Sequence, residues 1–490
     1  MSNKLFLGHK LRALREQHGL TQTALATRLG LSISYLSQLE NNQRAITVQV
    51  LIALNRDFGI DIAQFADDDQ GRLVADAREA LAQPGYATPM PGLQEIKHVA
   101  ETAPAFLRRF LEQHQALTQR RETARDWYPA NTGEPSGGAS AVDPQPYETA
   151  RDFFHYRNNY IDELDRAAEA LATTMDLDGG GGDPTPRLTR FLEQEHRVRL
   201  RYTGESGETE PADHSEVLRQ YDPAARILTL NGSLSGPTRN FMLACQAATL
   251  SLGSIIDRVL GESGLKSADA RAICRAGLVN YAAGALIMPY AAFVARAARL
   301  RHDIERLQRH FHTSFEQVCH RLSTLQRPGK RGVPFYFLRV DLAGNITKRH
   351  SATRFQFARF GGACPLWNVH EAFGMPGRIM VQQAEMPDGA RYICIARSII
   401  KRGGAYRQPN RHFAVGFGCE ISHAAALVYT DGLSLDDAAA YDPVGISCRL
   451  CPRERCQQRA APPLSRAITI DPDVRAVLPY VVGPASGGGG

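Results

Sequence analysis

Residues 20–60 read LTQTALATRLGLSISYLSQLENNQRAITVQVLIALNRDFGI, and this run decides the reading of the N-terminal part of the chain. Ala24, Leu25 and Leu29 recur at helical spacing behind Thr21, a residue able to cap a helix. Gly30 marks a sharp turn. Ser32 can cap the next helix, in which Leu36 and Leu39 face inward. Val48, Leu51 and Leu54 supply a following helix, and Leu11 and Leu14 one before. Residues 8–66 hold five short helical patterns in all. Helix, short glycine turn, helix is the arrangement that lays the second helix in the major groove of DNA.

Working outward, 490 residues imply about three domains at ~100–200 residues each. With 43% hydrophobic and 22% charged residues, the chain can bury ordinary globular cores. No run approaches ~18 consecutive apolar residues, so no transmembrane helix is expected. The start, MSNKLFLGHKLRALREQ, becomes charged too soon for a signal peptide. A cytoplasmic protein without membrane contact is the expectation. Nine cysteines are too few for a disulfide scaffold, and clustered ones point instead to metal or reactive chemistry. The net charge of +6 is compatible with a polyanionic partner but too mild to require one. It is unevenly spread: Lys4, Lys10, Arg12, Arg15 and Arg28 face only Glu16 within residues 1–30.

Composition divides the chain into 1–68, the helix-turn-helix unit; 69–183, a helical linker whose residues 129–146 (PANTGEPSGGASAVDPQP) read as disordered; 184–325; 326–480; and a tail, 481–490. HRVRLRY at 196–202 and residues 225–234 alternate as strands should, before a long helical region from about 237 to 325. Beyond Gly332 short β-rich runs at 335–340, 377–384 and 391–395 alternate with glycine-containing turns. The expected fold class is therefore multidomain, all-α units followed by a C-terminal α/β cysteine-rich domain.

Residues 20–60 closely resemble the Cro/C1-type (XRE) helix-turn-helix family. The resemblance assigns Ile33, Ser34, Tyr35 and Gln38 to base edges, and Gln22, Ser37, Asn41 and Arg44 to phosphates. Gln38 is the most informative, because a glutamine amide can bond adenine bidentately. Residues 184–260, with TRNFMLA at 238–244 leading into a helix, resemble the IrrE/ImmA zinc-peptidase-like domain. Active members carry H-E-x-x-H there. Here the five positions are Cys245, Gln246, Ala247, Ala248 and Thr249. No imidazole pair is present and Gln246 cannot act as a general base, so the fold is expected without the peptidase chemistry.

Six of the nine cysteines follow residue 360. Cys448, Cys451 and Cys456 form C-x2-C-x4-C, a spacing that suits an iron–sulfur or zinc site. Arg449, Arg453, Arg455 and Arg459 surround it and would offset thiolate charge. The fourth ligand is expected at Cys419, in GFGCEISHA, with Cys364, in FGGACPLW, the alternative and His423 a further substitute. Cys394, in RYICIA, reads as packing.

Residues 148–470 as a whole resemble the short-chain fatty acyl transcriptional regulators of the RamB and PrpR type. The words that carry this are RDFFHYRNNYIDELDRAAEALA, RFGGACPLWNVHEAF, PGRIMVQQAEMPDGARYICIAR, GFGCEISHAAALVYTDGL and CRLCPRERCQQRAAPP. The resemblance implies a regulator of propionate or acetate/glyoxylate genes that answers to a short-chain acyl-CoA. It also implies an iron–sulfur cluster at the cysteines, of [4Fe–4S] type, with zinc the alternative. The residues themselves offer Phe360, Trp367, Phe373 and Tyr392 for an apolar pocket, and Arg397, Lys401 and Arg402 for phosphates. The partners expected are a pseudo-palindromic DNA operator and a second copy of the chain, since one helix-turn-helix covers a half-site. A redox or oxygen sensor using the cluster as signal is the competing reading. A metallopeptidase acting on a repressor is the enzyme alternative, opposed by the missing H-E-x-x-H.

Overall fold

The computed structural model describes residues 8–41, 43–44, 46–58, 69–81, 91–111, 113–114, 146–155, 157–179, 181–203, 217–353, 355, 363–402, 409–449, 451–463, 468–471 and 473–483. The chain divides into two compact units: Met1–Gly133 with Pro328–Lys330, and Glu134–Arg327 with Arg331–Gly490. No single described helix is long and apolar enough to cross a membrane.

In the first unit, α1 (Gly8–Gln17), α2 (Gln22–Leu29), α3 (Ile33–Glu40) and α4 (Val48–Phe58) enclose a core of Leu11, Leu25, Leu36, Leu39 and Leu54. The caps fall where the sequence puts them: the Thr21 hydroxyl accepts from the Ala24 N–H and the Ser32 hydroxyl from the Tyr35 N–H. Gly30 takes the left-handed conformation at φ 68°, which glycine adopts without steric cost. Residues 59–66, the end of the span expected to hold five helical patterns, lie outside the described residues. The pair α5 (Asp69–Leu81) and α6 (Leu93–Thr102) builds a separate small core from Leu73, Val74, Ala77, Ile96 and Ala100. Ala103 interrupts the helical pattern of this stretch just before Pro104, as the restriction on residues preceding proline requires.

The second unit corrects the expected boundaries. Residues 146–183, assigned to the linker, are not one: α7 (Pro146–His155) and α8 (Asp162–Thr174) bury Phe153, Leu164 and Ala168 in the main core of the unit. Pro146, the last residue of the expected disordered stretch, opens α7, and 129–145 lie outside the described residues. A small sheet, β1 (Arg199–Tyr202), β3 (Ile227–Leu230) and β2 (Arg219–Asp222), has order β1-β3-β2 with only the β2–β3 pair antiparallel. The long helical region resolves into six helices, α9 to α14 once the chain has left the short Thr185–His196 helix: Gly236–Ser251, Gly253–Gly261, Ala268–Ile287, Tyr290–Arg299, Ile304–Phe311 and Phe315–Leu322.

The C-terminal sheet comprises β4 (Tyr336–Asp341), β5 (Ile346–Ser351), β6 (Met380–Glu385), β7 (Arg391–Lys401) and β8 (Arg411–Glu420), ordered β5-β4-β8-β7-β6. Every pair in it is antiparallel. The part is thus α+β, and the α/β expectation is corrected: its strands are joined without the helical crossovers that parallel pairing needs. One face, with Phe337, Ile393, Ile395, Val415, Phe417 and Cys419, shares a core with the helices. The opposite face, with Tyr336, Cys394, Trp367 and Tyr392, forms another. Period-two alternation of side chains makes this sheet a partition. Val481–Val482, placed by sequence in the disordered tail, pair instead with Ile468–Thr469.

Candidate functional site

On α3 the residues turned away from the core are Ile33, Ser34, Ser37 and Gln38, continued by Asn41 and Arg44 beyond the helix. Ile33 is 50% exposed. Tyr35 packs partly against the core, and the Arg44 guanidinium lies over its ring at 5.7 Å. Asn41 Nδ2 donates to Ser37 Oγ at 3.4 Å. The residues assigned to base edges and phosphates thus lie on or beside this polar face, and one of them, Gln22, has a partner within the protein. Gln22 Nε2 donates to Glu40 Oε2 at 2.8 Å, while Arg15 Nε donates to Glu40 Oε1 at 2.7 Å. One amide hydrogen of Gln22 therefore ties α2 to α3, fixing the helix-turn-helix angle through a buried carboxylate.

The helix Gly236–Ser251 carries the five positions of the peptidase signature. Cys245 and Gln246 are buried. The Gln246 Oε1 accepts from Arg219 Nη1 at 2.8 Å, and the Cys245 thiol points to Asn280 Oδ1 at 3.7 Å. Burial pushes that thiol up to about 12. An arginine paired with Gln246 and a neutral buried thiol leave nothing to bind and activate a water.

The cysteines separate by sheet face. Cys419 sits on β8 opposite Ile393, in the core shared with the helices. Burial, then Cys394 and Glu420, hold its thiol far above the ordinary value. Cys364 lies in the core of the other face. Burial raises its thiol; backbone N–H groups of Gly445 and Leu366 oppose this, and the nearby Cys448 and Cys451 raise it again. The structure therefore brings Cys364, and not the expected Cys419, to the C-x2-C-x4-C loop. Cys448 Sγ accepts the Ala460 N–H at 3.3 Å. Among the described residues no three His, Cys, Asp or Glu side chains close around a single point; Cys448 and Cys451 are the thiols felt by Cys364. His423 sits in a short 3-10 helix, and Cys394 is packed within β7 as expected, its thiol pushed by burial to about 12.

The expected ligand residues are split in the same way. Trp367 and Tyr392 come together through Phe355, whose ring centroid is 5.0 Å from each. Both are 2% exposed, so they form a packed aromatic core. Arg397, five residues beyond Tyr392 on β7, is on the opposite face; its Nη1 meets Glu305 at 3.2 Å and its guanidinium lies over Phe315 at 5.2 Å. It cannot line a pocket with Trp367 and Tyr392. Phe360 lies outside the described residues. Phe373 is partly buried beside the aromatic core. Lys401 joins Arg339 and Lys348 around the buried carboxylate of Glu316, at 2.8, 2.8 and 3.3 Å.

Comparison with known proteins places these features together. Residues 11–65 match the helix-turn-helix family, 205–323 the IrrE N-terminal-like domain, and 324–480 the family described as short-chain fatty acyl coenzyme A regulator, C-terminal. The chain is 46% identical over 483 residues to the "Propionyl-CoA carboxylase regulator" of Cereibacter sphaeroides, covering 98% of this chain and 100% of that one. The chain belongs to the short-chain fatty acyl coenzyme A regulator family. Two other relatives from Mycobacterium tuberculosis, "HTH-type transcriptional regulator RamB" and "HTH-type transcriptional regulator PrpR", are each 40% identical, over 98% of this chain and 99% and 96% of theirs. A solved "Mycobacterium tuberculosis transcriptional regulator" superposes with TM-score 0.63 at 41% identity, covering 69% of this chain and 99% of that chain.

As a member of this regulator family, the protein is a DNA-binding helix-turn-helix transcription regulator and not an enzyme. The lost H-E-x-x-H fits that reading residue by residue. Sequence reasoning undervalued Cys364, although in FGGACPLW it is followed directly by Pro365 and lies outside any strand pattern. It also missed the clamp of Arg15, Gln22 and Glu40, whose only sequence trace is a lone acid on the inner side of α3.

Proposed function

We propose that this regulator controls genes of short-chain acyl-CoA metabolism, answers to a short-chain acyl-CoA, and carries an iron–sulfur centre. The observation that carries the gene class is full-length similarity to a protein named for propionyl-CoA carboxylase regulation. The centre would be held by Cys364, Cys448, Cys451 and Cys456. The support for this is the soft-donor chemistry of the C-x2-C-x4-C spacing and the electrostatic proximity of Cys364 to Cys448 and Cys451, although no three of these side chains close around a single point. When bound, it would supply a redox-active, thiolate-ligated charge, with zinc the structural alternative. Two copies of the chain on a pseudo-palindromic operator complete the reading, because one helix-turn-helix covers a half-site.

The test uses full-length protein purified without air. Iron and sulfide in stoichiometric amounts, with visible absorption lost on Ser substitution at 364, 448, 451 or 456 and retained in Cys419→Ser and Cys394→Ser, supports the ligand set. Stoichiometric zinc without iron replaces the cluster with a structural metal. Operator affinity is then measured with propionyl-CoA, acetyl-CoA and free CoA. A shift with air exposure and none with any acyl-CoA would establish the redox-sensor alternative instead.

A further inference from the structure

The hydrogen bond between Arg219 and Gln246 leaves the donors around it unmet. Gln246, on the helix Gly236–Ser251, is 1% exposed, and its Oε1 accepts from Arg219 Nη1 at 2.8 Å. Its Nε2 is buried as well and donates to nothing. Arg219 therefore has only Nη1 engaged. The opposite edge of its guanidinium, Nε and Nη2, presents the side-on fork that fits two oxygens of a carboxylate or phosphate, and it meets no acceptor among the described residues. Arg239 stands seven residues before Gln246 on the same helix, so two turns bring it to the same face. Its Nε is buried without a partner, and its guanidinium makes no ion pair among the described residues. Buried or half-buried cations are ordinarily paired. Arg321 and Arg327 of the same unit follow that rule through Asp165 at 2.6 and 3.0 Å.

What this place lacks is an acceptor carrying negative charge. The Thr249 hydroxyl donates to the Cys245 carbonyl at 2.7 Å, and the Cys245 thiol points to Asn280 Oδ1 at 3.7 Å. Cys245 supplies no charge near neutral pH, because burial pushes its thiol up to about 12 against the pull of the neighbouring Arg219. Solvent reaches the rim: Arg219, Arg239 and Thr249 are partly exposed and Asn280 is exposed. Two cations and an unused amide N–H repel a metal cation and suit an oxyanion. In active relatives of this fold a metal held by the H-E-x-x-H helix draws a substrate oxygen to the same helix. Here a fixed guanidinium stands beside the matching positions and brings no nucleophile with it.

We propose that the position of the lost peptidase signature is a binding site for a small molecule bearing a carboxylate or phosphate group. Arg219 takes two of its oxygens side-on, Gln246 Nε2 supplies a further donor, and Arg239 adds a second positive charge along the helix. The site is independent of the cysteine loop and of any metal there. It also separates from a purely structural tie between β2 and the helix. A structural tie needs only the Arg219–Gln246 bond, whereas an oxyanion site needs the donors that this bond leaves over.

The experiment unfolds full-length wild type, Arg219→Gln, Arg239→Gln and Gln246→Glu by heat at rising concentrations of inorganic phosphate, propionate or coenzyme A, with chloride holding ionic strength constant. A ligand bound by the folded chain alone raises the midpoint along a saturable curve, from which a dissociation constant follows. At least one of these anions should do so for wild type. Its dissociation constant should rise at least tenfold in Arg219→Gln and at least threefold in Arg239→Gln. Gln246→Glu sets a carboxylate beside Arg219 as an internal occupant, so its ligand-free midpoint should match or exceed that of wild type while the saturable shift disappears. A response to propionate alone identifies a carboxylate ligand; a response to phosphate and coenzyme A without propionate identifies a phosphate. Unchanged dissociation constants in Arg219→Gln overturn the site, as does full binding by Gln246→Glu. No saturable shift of wild type with any of the three anions overturns it too, leaving Arg219 a structural tie. If Arg219→Gln does not accumulate, Gln246→Glu decides: binding lost in a protein of undiminished stability supports the site, and binding retained refutes it.

Discussion

Asp165→Asn is expected to cost the second unit ~3–5 kcal/mol. Asp165 is completely buried on α8 and accepts from four donors: Arg321 Nη1 at 2.6 Å, Arg321 Nη2 at 3.3 Å, Arg327 Nη2 at 3.0 Å and the Tyr281 hydroxyl at 2.7 Å. Asparagine keeps the shape and one acceptor, but turns an amide NH2 toward donors and leaves Arg321 buried with no anion. Arg327 is less exposed to the loss, since Glu169 still pairs with it at 2.7 Å. Removing one partner of a buried ion pair costs about 3–5 kcal/mol, against about 1 kcal/mol for a single neutral hydrogen bond. Tyr281→Phe, which removes only the hydroxyl, therefore calibrates the small end. Joint replacement by apolar residues, Asp165→Leu with Arg321→Met, should recover much of the loss. Urea unfolding followed by circular dichroism measures all three. A loss under ~1 kcal/mol for Asp165→Asn, or a double variant weaker than the single one, would show that the network is not what joins α8 to the helix Phe315–Leu322.

The DNA face makes a paired prediction: Gln38→Ala should lose ~1–3 kcal/mol of discrimination at one base position, whereas Arg44→Ala should weaken all sequences alike and reduce the salt slope by about one. Binding to a randomised operator pool at several salt concentrations separates the two, and uniform loss for both removes the role of Gln38. His320 and His350 meet edge to face with ring centroids 4.7 Å apart; burial, then the charge of Lys348, lowers His320 from 6.5 to about 3, while burial, then His320, holds His350 well below its usual range. Because unfolding lets both take up protons, their stabilisation is complete above about pH 6.5 and falls as pH drops toward 3, by up to ~1.4 kcal/mol per pH unit for each; His320→Gln should flatten that slope in a pH series of urea midpoints. Burial would raise Glu316, but Lys348, Lys401 and Arg339 outweigh it and bring it from 4.5 to about 2. Its contribution, at most ~3 kcal/mol, is present above pH 4.5 and lost as pH falls through 2, so Glu316→Gln should lower neutral-pH stability and remove that acid limb.

The helix-turn-helix was legible because its signals are local. Thr21, Gly30 and Ser32 act within a few residues of themselves, and the leucines need only helical spacing. Strand positions were legible for the same reason. What the sequence could not carry was the meaning of face in the C-terminal sheet. GFGCEISHA is expected to present Cys419 as a ligand, yet Gly416, Gly418 and Cys419 itself are strand residues. A Cβ on Gly418 would stand 2.2 Å from the Ile393 carbonyl and 2.7 Å from the Tyr336 hydroxyl, and one on Gly416 2.6 Å from Leu338 and Val369. These glycines admit close packing, as strand glycines often do, and Cys419 is a core residue between them and the helices. The helices at 146–174 escaped detection as core for a related reason: both pack chiefly against Ala268–Ile287, roughly a hundred residues further along the chain.

The same partition bears on how a signal could be organised. β7 presents Tyr392, Cys394 and Ala396 to one core and Ile393, Ile395 and Arg397 to the other. On the first side lie the aromatic cluster and, through Cys364, the cysteine loop. On the second lie the helices of the former peptidase fold, with Arg397 meeting Glu305 across the boundary. Two packed cores sharing one strand cannot repack independently, since interiors at crystal-like density transmit small displacements. The two sides are joined through β7 and β8, whose ten-residue register runs from Tyr392–Glu420 to Lys401–Arg411. Within the helical side, Gln246, where active relatives of the peptidase fold carry the glutamate, instead accepts a hydrogen bond from Arg219 of β2 and ties that strand to the helix Gly236–Ser251.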